Sequence, residues 1–224
     1  MLENSLGELD SEYLEFLKND NSYFPDKDNL LNAFKTLPLE KTKYILFGQD
    51  PYPRYESAIG YAFIDGKVKS IFSENGLSKE VNRATSLRNF IKMALYCDGA
   101  LKDDFSKEAV ASIDKRAYIT NITQLRENFE KNGVLLLNTA LIFTNKEDSK
   151  KHIKAWKGFV NRFLEELRDF KIELILFGNF AKDVEKYQST NFYKKHIMMH
   201  PYNISFITEP KAHNLFAPMK LLIK

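Results

Sequence analysis

Tyr44-Ile45-Leu46-Phe47-Gly48-Gln49-Asp50-Pro51-Tyr52-Pro53 runs four apolar residues directly into a glycine, an amide, an acid and a stiff proline turn. A run this short suits a strand buried on both faces better than a helix. The same transition returns at Leu174-Ile175-Leu176-Phe177-Gly178-Asn179, an echo too brief for a repeat architecture. Two more apolar runs, Val134 to Leu137 and His196 to Met199, end in Asn138-Thr139 and His200-Pro201. Helical patterns separate them: Ser11 to Leu17, Asn29 to Phe34, Ser86 to Tyr96 with Ser86 as N-cap, and Thr123 to Glu130. The clearest helix spans about Ile153 to Leu167, where Trp156, Phe159, Val160, Phe163, Leu164 and Leu167 recur at helical spacing. Apolar strands alternating with helices predict an α/β fold, with a central four-stranded parallel sheet covered by helices on both faces.

Composition bounds the rest. A chain of 224 residues that is 44% hydrophobic can bury one sizeable core, and no Pro/Gly/Ser linker interrupts it, so a single domain over 1–224 is expected. Its N-terminal part, about 1–40, reads as helical. The longest apolar runs fall far short of the roughly 20 residues of a membrane helix. The N-terminal MLENSLGELDSEYLEFL has acids where a secretory signal carries lysines and lacks an apolar core. A soluble, cytoplasmic, monomeric protein is the expectation, with no membrane association. The single cysteine, Cys97, excludes an internal disulfide and is too little for a structural zinc site. Charge is uneven: residues 150–224 hold 14 Lys or Arg against 7 Asp or Glu, within a chain whose net charge is only +3. A basic C-terminal third suits a phosphate backbone.

In parallel sheets, ligands bind beyond the carboxyl ends of the strands. Here those ends carry Asp50, Asn138 and His200. Asp50, held between Gly-Gln and Pro-Tyr-Pro, presents a carboxylate on a rigid turn that can orient water or face a developing cation. Asn138 offers a donor and an acceptor side by side, the complement of an imide edge with C=O next to N–H. An edge carrying an amine and a bare ring nitrogen would leave that amide mispaired. His200 can polarise a leaving group as a neutral donor or act as an acid. Singly, each has a plainer role as turn former, cap or surface histidine; their placement at successive strand ends favours a shared one.

At these residues the sequence resembles family 1 uracil-DNA glycosylases, whose G-Q-D-P-Y-H loop corresponds to Gly48 to Pro53. The likeness continues in order through Gly60-Tyr61-Ala62-Phe63, Ala84-Thr85-Ser86-Leu87-Arg88-Asn89, Gly133 through Leu141, and His200-Pro201-Tyr202-Asn203-Ile204-Ser205, covering roughly residues 43–216. The resemblance implies an enzyme that flips uracil out of single- or double-stranded DNA and hydrolyses its glycosidic bond without metal or cofactor. It implies that Asp50 positions water and stabilises the sugar cation, and that the backbone at Gln49 helps bind a uracil carbonyl. Tyr52 would exclude a 5-methyl group, Phe63 would stack on the base and Asn138 would read its imide edge. Neutral His200 would stabilise the leaving anion. Ser86 and Ser205 would contact flanking phosphates, and Ile204 would wedge into the gap left by the flipped base.

Several positions depart from the family pattern. Pro53 stands where the family has histidine, Ala84-Thr85 where it has two prolines, Tyr202-Asn203 where it has Ser-Pro, and Ile64-Asp65 where it has Ser-Val. These changes touch the grip on DNA more than base recognition. They leave open a glycosylase with single-strand preference or altered lesion specificity, and a non-catalytic DNA-binding scaffold. A generic nucleotide-binding protein is disfavoured, since no G-x-G-x-x-G or Walker-type loop follows any strand.

Overall fold

The computed structural model describes residues 2–224. Its main sheet has four parallel strands, β1 (Tyr44–Gly48), β2 (Val134–Asn138), β3 (Glu173–Phe177) and β4 (Lys194–Met198), in the order β2-β1-β3-β4. This is the sheet expected from the four apolar runs. The central strand β1 pairs with β2 from Tyr44↔Val134 to Gly48↔Asn138, and with β3 from Tyr44↔Glu173 to Leu46↔Ile175. Both faces of β1, β2 and β3 are buried: Ile45, Phe47, Leu135, Leu137, Leu174 and Leu176 on one, and Leu46, Leu136 and Ile175 on the other. That double burial is why these segments read as continuous apolar runs.

The fourth strand begins at Lys194 rather than at the expected His196 and ends at Met198 rather than Met199. It lies at the sheet edge, where polar residues are tolerated. Glu173 of β3 accepts from Lys194 Nζ at 3.0 Å and bonds His196 Nε2 at 2.5 Å, so polar side chains hold this end of the strand.

The chain divides into two compact units. The first comprises residues up to Asp65 together with Gly133–Ile197, and the second comprises Gly66–Asn132 with Met198–Lys224. In the first, helix Ser149–Leu167 lays Trp156, Phe159, Val160 and Phe163 in a core shared with Ile45, Phe47, Leu135 and Leu137, which also takes Tyr13 and Leu17 of helix Ser11–Asn19. The long helix starts four residues before the expected Ile153. Asn145 and Asp148 fold into a side-chain-bonded turn (Asp148 N–H to Asn145 Oδ1, 2.9 Å; Asn145 Nδ2 to Asp148 Oδ2, 2.8 Å) that launches a polar first turn, invisible to apolar periodicity. Within that turn His152 is buried between the Tyr13 hydroxyl (2.7 Å from Nδ1) and Thr144 Oγ1 (2.9 Å from Nε2). The helix expected over Asn29 to Phe34 is a five-residue segment, Asn32–Thr36. Asn29 is drawn into a turn instead, its N–H donating to Asp26 Oδ1 at 3.0 Å.

In the second unit, helices Thr85–Cys97, Ile122–Lys131 and Pro210–Phe216 gather around Phe90, whose ring lies 5.7 Å from Phe129, 6.1 Å from Phe206 and 5.1 Å from Phe216. Ser86 is not the N-cap expected of it. The helix begins at Thr85 behind Ala84, whose N–H already closes the preceding helix Lys79–Arg83 onto Glu80 and Val81 carbonyls. The tight junction of the two helices leaves Ser86 inside the first turn, half-buried.

Burial holds the His152 imidazole pKa below its ordinary value. The unfolded chain, titrating near pH 6.5, therefore takes up a proton as pH falls where the folded chain does not. The stability this neutral ring contributes is complete above about pH 6.5 and declines as pH drops toward the lower folded-state value. Urea unfolding midpoints should thus fall more between pH 7.5 and 5.5 in the wild type than in His152→Gln; equal slopes would reject the buried neutral ring.

Candidate active site

The register Gly48↔Asn138 makes the loop after β1 and the amide ending β2 emerge side by side. A Cβ at Gly48 would run into Asn138 Oδ1 and lie 3.0 Å from Ala62 Cβ, so the glycine makes room for a buried amide. Thr139 fixes the next step of backbone. Its N–H donates to the Gly48 carbonyl at 2.9 Å and its Oγ1 to the Gln49 carbonyl at 2.9 Å, with Ala140 N–H on the same carbonyl at 3.0 Å. Asp50 follows on a turn between buried Pro51 and this anchored Gln49. Its Oδ2 accepts from Ser149 Oγ at 2.5 Å and from Gln49 Nε2 at 3.3 Å.

Tyr52 and Phe63 are also bound together. The Tyr52 hydroxyl donates to the Phe63 carbonyl at 3.3 Å. Burial of the phenol, and secondarily the nearby Asp65 carboxylate, raise its pKa above the ordinary value, so the group stays a neutral donor. Phe63 itself has φ of 67°, a left-handed conformation that costs a non-glycine residue on the order of 1–3 kcal/mol. It is held there from both sides. Ala62 N–H donates to the Leu136 carbonyl of β2 at 3.1 Å, and Ala58 bridges Asp65 beyond it. Its ring, half-exposed, faces that of Phe177 at the end of β3, 6.3 Å away.

The second unit carries His200 and the loop after it. Tyr202 N–H donates to His200 Nδ1 at 3.1 Å. A backbone N–H can only donate, so in the neutral ring the proton sits on Nε2, which makes that atom the ring's donor. The residue is exposed, yet the protein around it desolvates the charged form and lowers its pKa. The loop is pinned at several points. Glu209 accepts Met199 N–H with both oxygens at 3.1 and 2.9 Å, and buried Asn89 donates to the carbonyls of Pro201 (2.8 Å) and Tyr202 (3.3 Å). Asn203 Oδ1 accepts Ser205 N–H at 3.0 Å and starts a short 3-10 turn. Between these pins the Tyr202 and Ile204 side chains stand out, 70% and 69% exposed.

Comparison with known proteins gives this arrangement a family. The sequence model described as the uracil DNA glycosylase superfamily matches residues 34–219. The chain belongs to the uracil DNA glycosylase superfamily. Among solved structures it is similar to the wild-type UNG crystal structure from Nitratifractor salsuginis, with a TM-score of 0.98 and 53% identity over 100% of this chain and 90% of that one. The uracil-DNA glycosylase of Fusobacterium nucleatum is 31% identical over 202 residues, 88% of this chain and 73% of that protein. That of Campylobacter jejuni is 27% identical over 180 residues, 80% of this chain but 65% of its own length.

Of the residues singled out from sequence, Gln49, Asp50, Tyr52, Phe63 and Asn138 are gathered by the first unit, while Ser86, His200, Ile204 and Ser205 belong to the second. Sequence reasoning overlooked Ser149, Asn89 and Glu209. Asn89 stood inside a quoted motif, and its distance from the Pro201 loop, 112 residues along the chain, hid what it holds. Among the described residues no group of His, Cys, Asp or Glu is arranged to hold a metal ion, and no helix is long and apolar enough to cross a membrane.

Gly48→Ala should lower the unfolding free energy by about 1–3 kcal/mol through the collision with Asn138. Combining it with Asn138→Ala removes the colliding amide, so the two changes should cost less together than the sum of each alone. Simple additivity in a double-mutant cycle by urea unfolding would reject the collision.

Proposed function

We propose that the chain excises uracil from DNA by hydrolysing the N-glycosidic bond and leaving an abasic site. The observation that carries this reading is the pairing of β1 with β2 in a register that puts the Asp50 loop beside the buried Asn138 amide. Membership of the superfamily and the likeness to the Nitratifractor salsuginis structure support it.

As the C1′–N1 bond breaks, its electron pair leaves with uracil and positive charge develops on the sugar. The Asp50 carboxylate faces that charge and orients the water that adds to C1′, whose proton is then lost. Asn138 reads the imide edge of uracil, Phe63 stacks on the ring, and the backbone at Gln49 binds a carbonyl. The Tyr52 ring occupies the space a 5-methyl group needs. Neutral His200, with its proton on Nε2, donates to the carbonyl on which negative charge grows, so it stabilises the leaving anion without becoming an acid. Its lowered pKa keeps that state populated through neutral pH. The target must first leave the base stack, at a cost of a few kcal/mol. Exposed Ile204 fits the role of an apolar wedge, with Ser86 and Ser205 on flanking phosphates.

Uracil release from a defined oligonucleotide tests the assignment. Asp50→Asn and His200→Ala should each slow release by roughly 10²- to 10⁴-fold while leaving DNA affinity nearly unchanged. Near-normal rates in either variant would remove that residue from the mechanism. Tyr52→Ala should release thymine from DNA, because the space for its methyl group opens; no detectable thymine would reject the exclusion role.

A further inference from the structure

Asp50 works only if its carboxylate is held in one orientation, and the turn around it supplies little to hold it. Pro51 and Pro53 have neither a backbone N–H nor a polar side chain to offer. The amide of neighbouring Gln49 reaches Oδ2 only at 3.3 Å. The close donor comes from 99 residues away in sequence: Ser149 Oγ, 2.5 Å from the same oxygen. Ser149 is itself buried and opens the 19-residue helix Ser149–Leu167, whose first turn presents the positive end of the helix dipole.

Nor is the serine adrift. One turn along, His152 is clamped between Tyr13 and Thr144, and just before the helix the Asn145 side chain bonds both the carboxylate and the backbone N–H of Asp148. These bonds, the one from His152 to Tyr13 buried, fix the backbone that carries the hydroxyl. Both donors converge on Oδ2, so the second carboxylate oxygen, Oδ1, is the one presented to water.

We propose that Ser149 is a positioning residue for Asp50: its hydroxyl locks Oδ2 and thereby aims Oδ1 at the attacking water. It does not touch the substrate and acts only through the carboxylate. The proposal rests on the reading of Asp50 in uracil excision. Replacing Ser149 should therefore slow the chemical step without loosening the grip on DNA.

The test compares single-turnover uracil release by the full chain in the wild type, Asp50→Asn, Ser149→Ala, Ser149→Thr and the Ser149→Ala/Asp50→Asn double variant. Binding to DNA carrying a non-cleavable uracil nucleotide analogue is measured in parallel. Ser149→Ala should be slower by roughly 10- to 100-fold at saturating enzyme, with affinity unchanged to within about twofold. Ser149→Thr, which keeps the hydroxyl, should recover most of the rate. In the double variant the serine change should add nothing to the loss from Asp50→Asn, because the group it positions is gone. A Ser149→Ala rate equal to wild type, a loss that threonine does not restore, or a loss that multiplies in the double variant would each overturn the proposal. In all three cases an active wild type and a crippled Asp50→Asn would leave the uracil-excision reading standing. A wild type that releases no uracil would sink that reading, and this proposal with it.

Discussion

The first unit's share of the candidate site depends on a single strand pairing. Because β1 and β2 run parallel and in register to their ends, the last residue of one, Gly48, lies against the last residue of the other, Asn138. The absence of a side chain at Gly48 admits the amide, and the backbone hydrogen bonds from Thr139 and Ala140 then carry the pairing one step past the sheet to Gln49. A shift of register by one residue would turn Asn138 to the opposite face and withdraw Thr139 from the loop. The apolar interior prevents such a slip, since Ile45, Phe47, Leu135 and Leu137 would exchange places with residues packed on the other face. Core packing therefore sets the geometry of the polar groups beyond it.

Several of the groups proposed to act on the substrate are held by specific hydrogen bonds. Ser149 engages one oxygen of Asp50 and leaves the other to serve. Tyr202 N–H on Nδ1 selects the His200 tautomer that donates from Nε2. The Tyr52 hydroxyl, kept neutral by burial, anchors the carbonyl of a phenylalanine whose backbone is already strained. Such preorganisation lets the dipoles be in place before charge develops, which is where an active site gains most.

The four strands were legible because burial on both faces leaves an unbroken apolar run, and the geometry of parallel sheets singled out the residues that terminate those runs as candidates to meet a ligand. The edge strand β4 was read two residues late, since Lys194 and Lys195 look like loop until Glu173 is seen beside Lys194 and His196. The start of the long helix was missed for a related reason: its first turn is polar and is launched by an Asn145–Asp148 turn rather than by an apolar stripe. Ser86 was mistaken for a cap because capping depends on where the preceding helix stops, here at Arg83, with Ala84 the single residue between it and Thr85. Ser149, Asn89 and Glu209 left no local signal. The first two bond groups 99 and 112 residues away, and all three are ordinary polar residues until the chain is folded.

The first unit is built from two stretches of chain that are far apart in sequence, and this shapes how the protein must be made. The β1–β2 contacts join residues 90 positions apart, such as Gln49 and Thr139. At roughly 5–20 residues per second, synthesis leaves β1 waiting on the order of 5–20 s for its partner strand. During that interval Tyr44 to Phe47 are an apolar edge without a neighbour, the kind of segment that chaperones recognise and that aggregates when they are scarce. The same long-range closure that assembles the candidate site therefore makes its formation a late event on the ribosome, and yield in a fast-translating host should be more sensitive to this strand than to the helices around it.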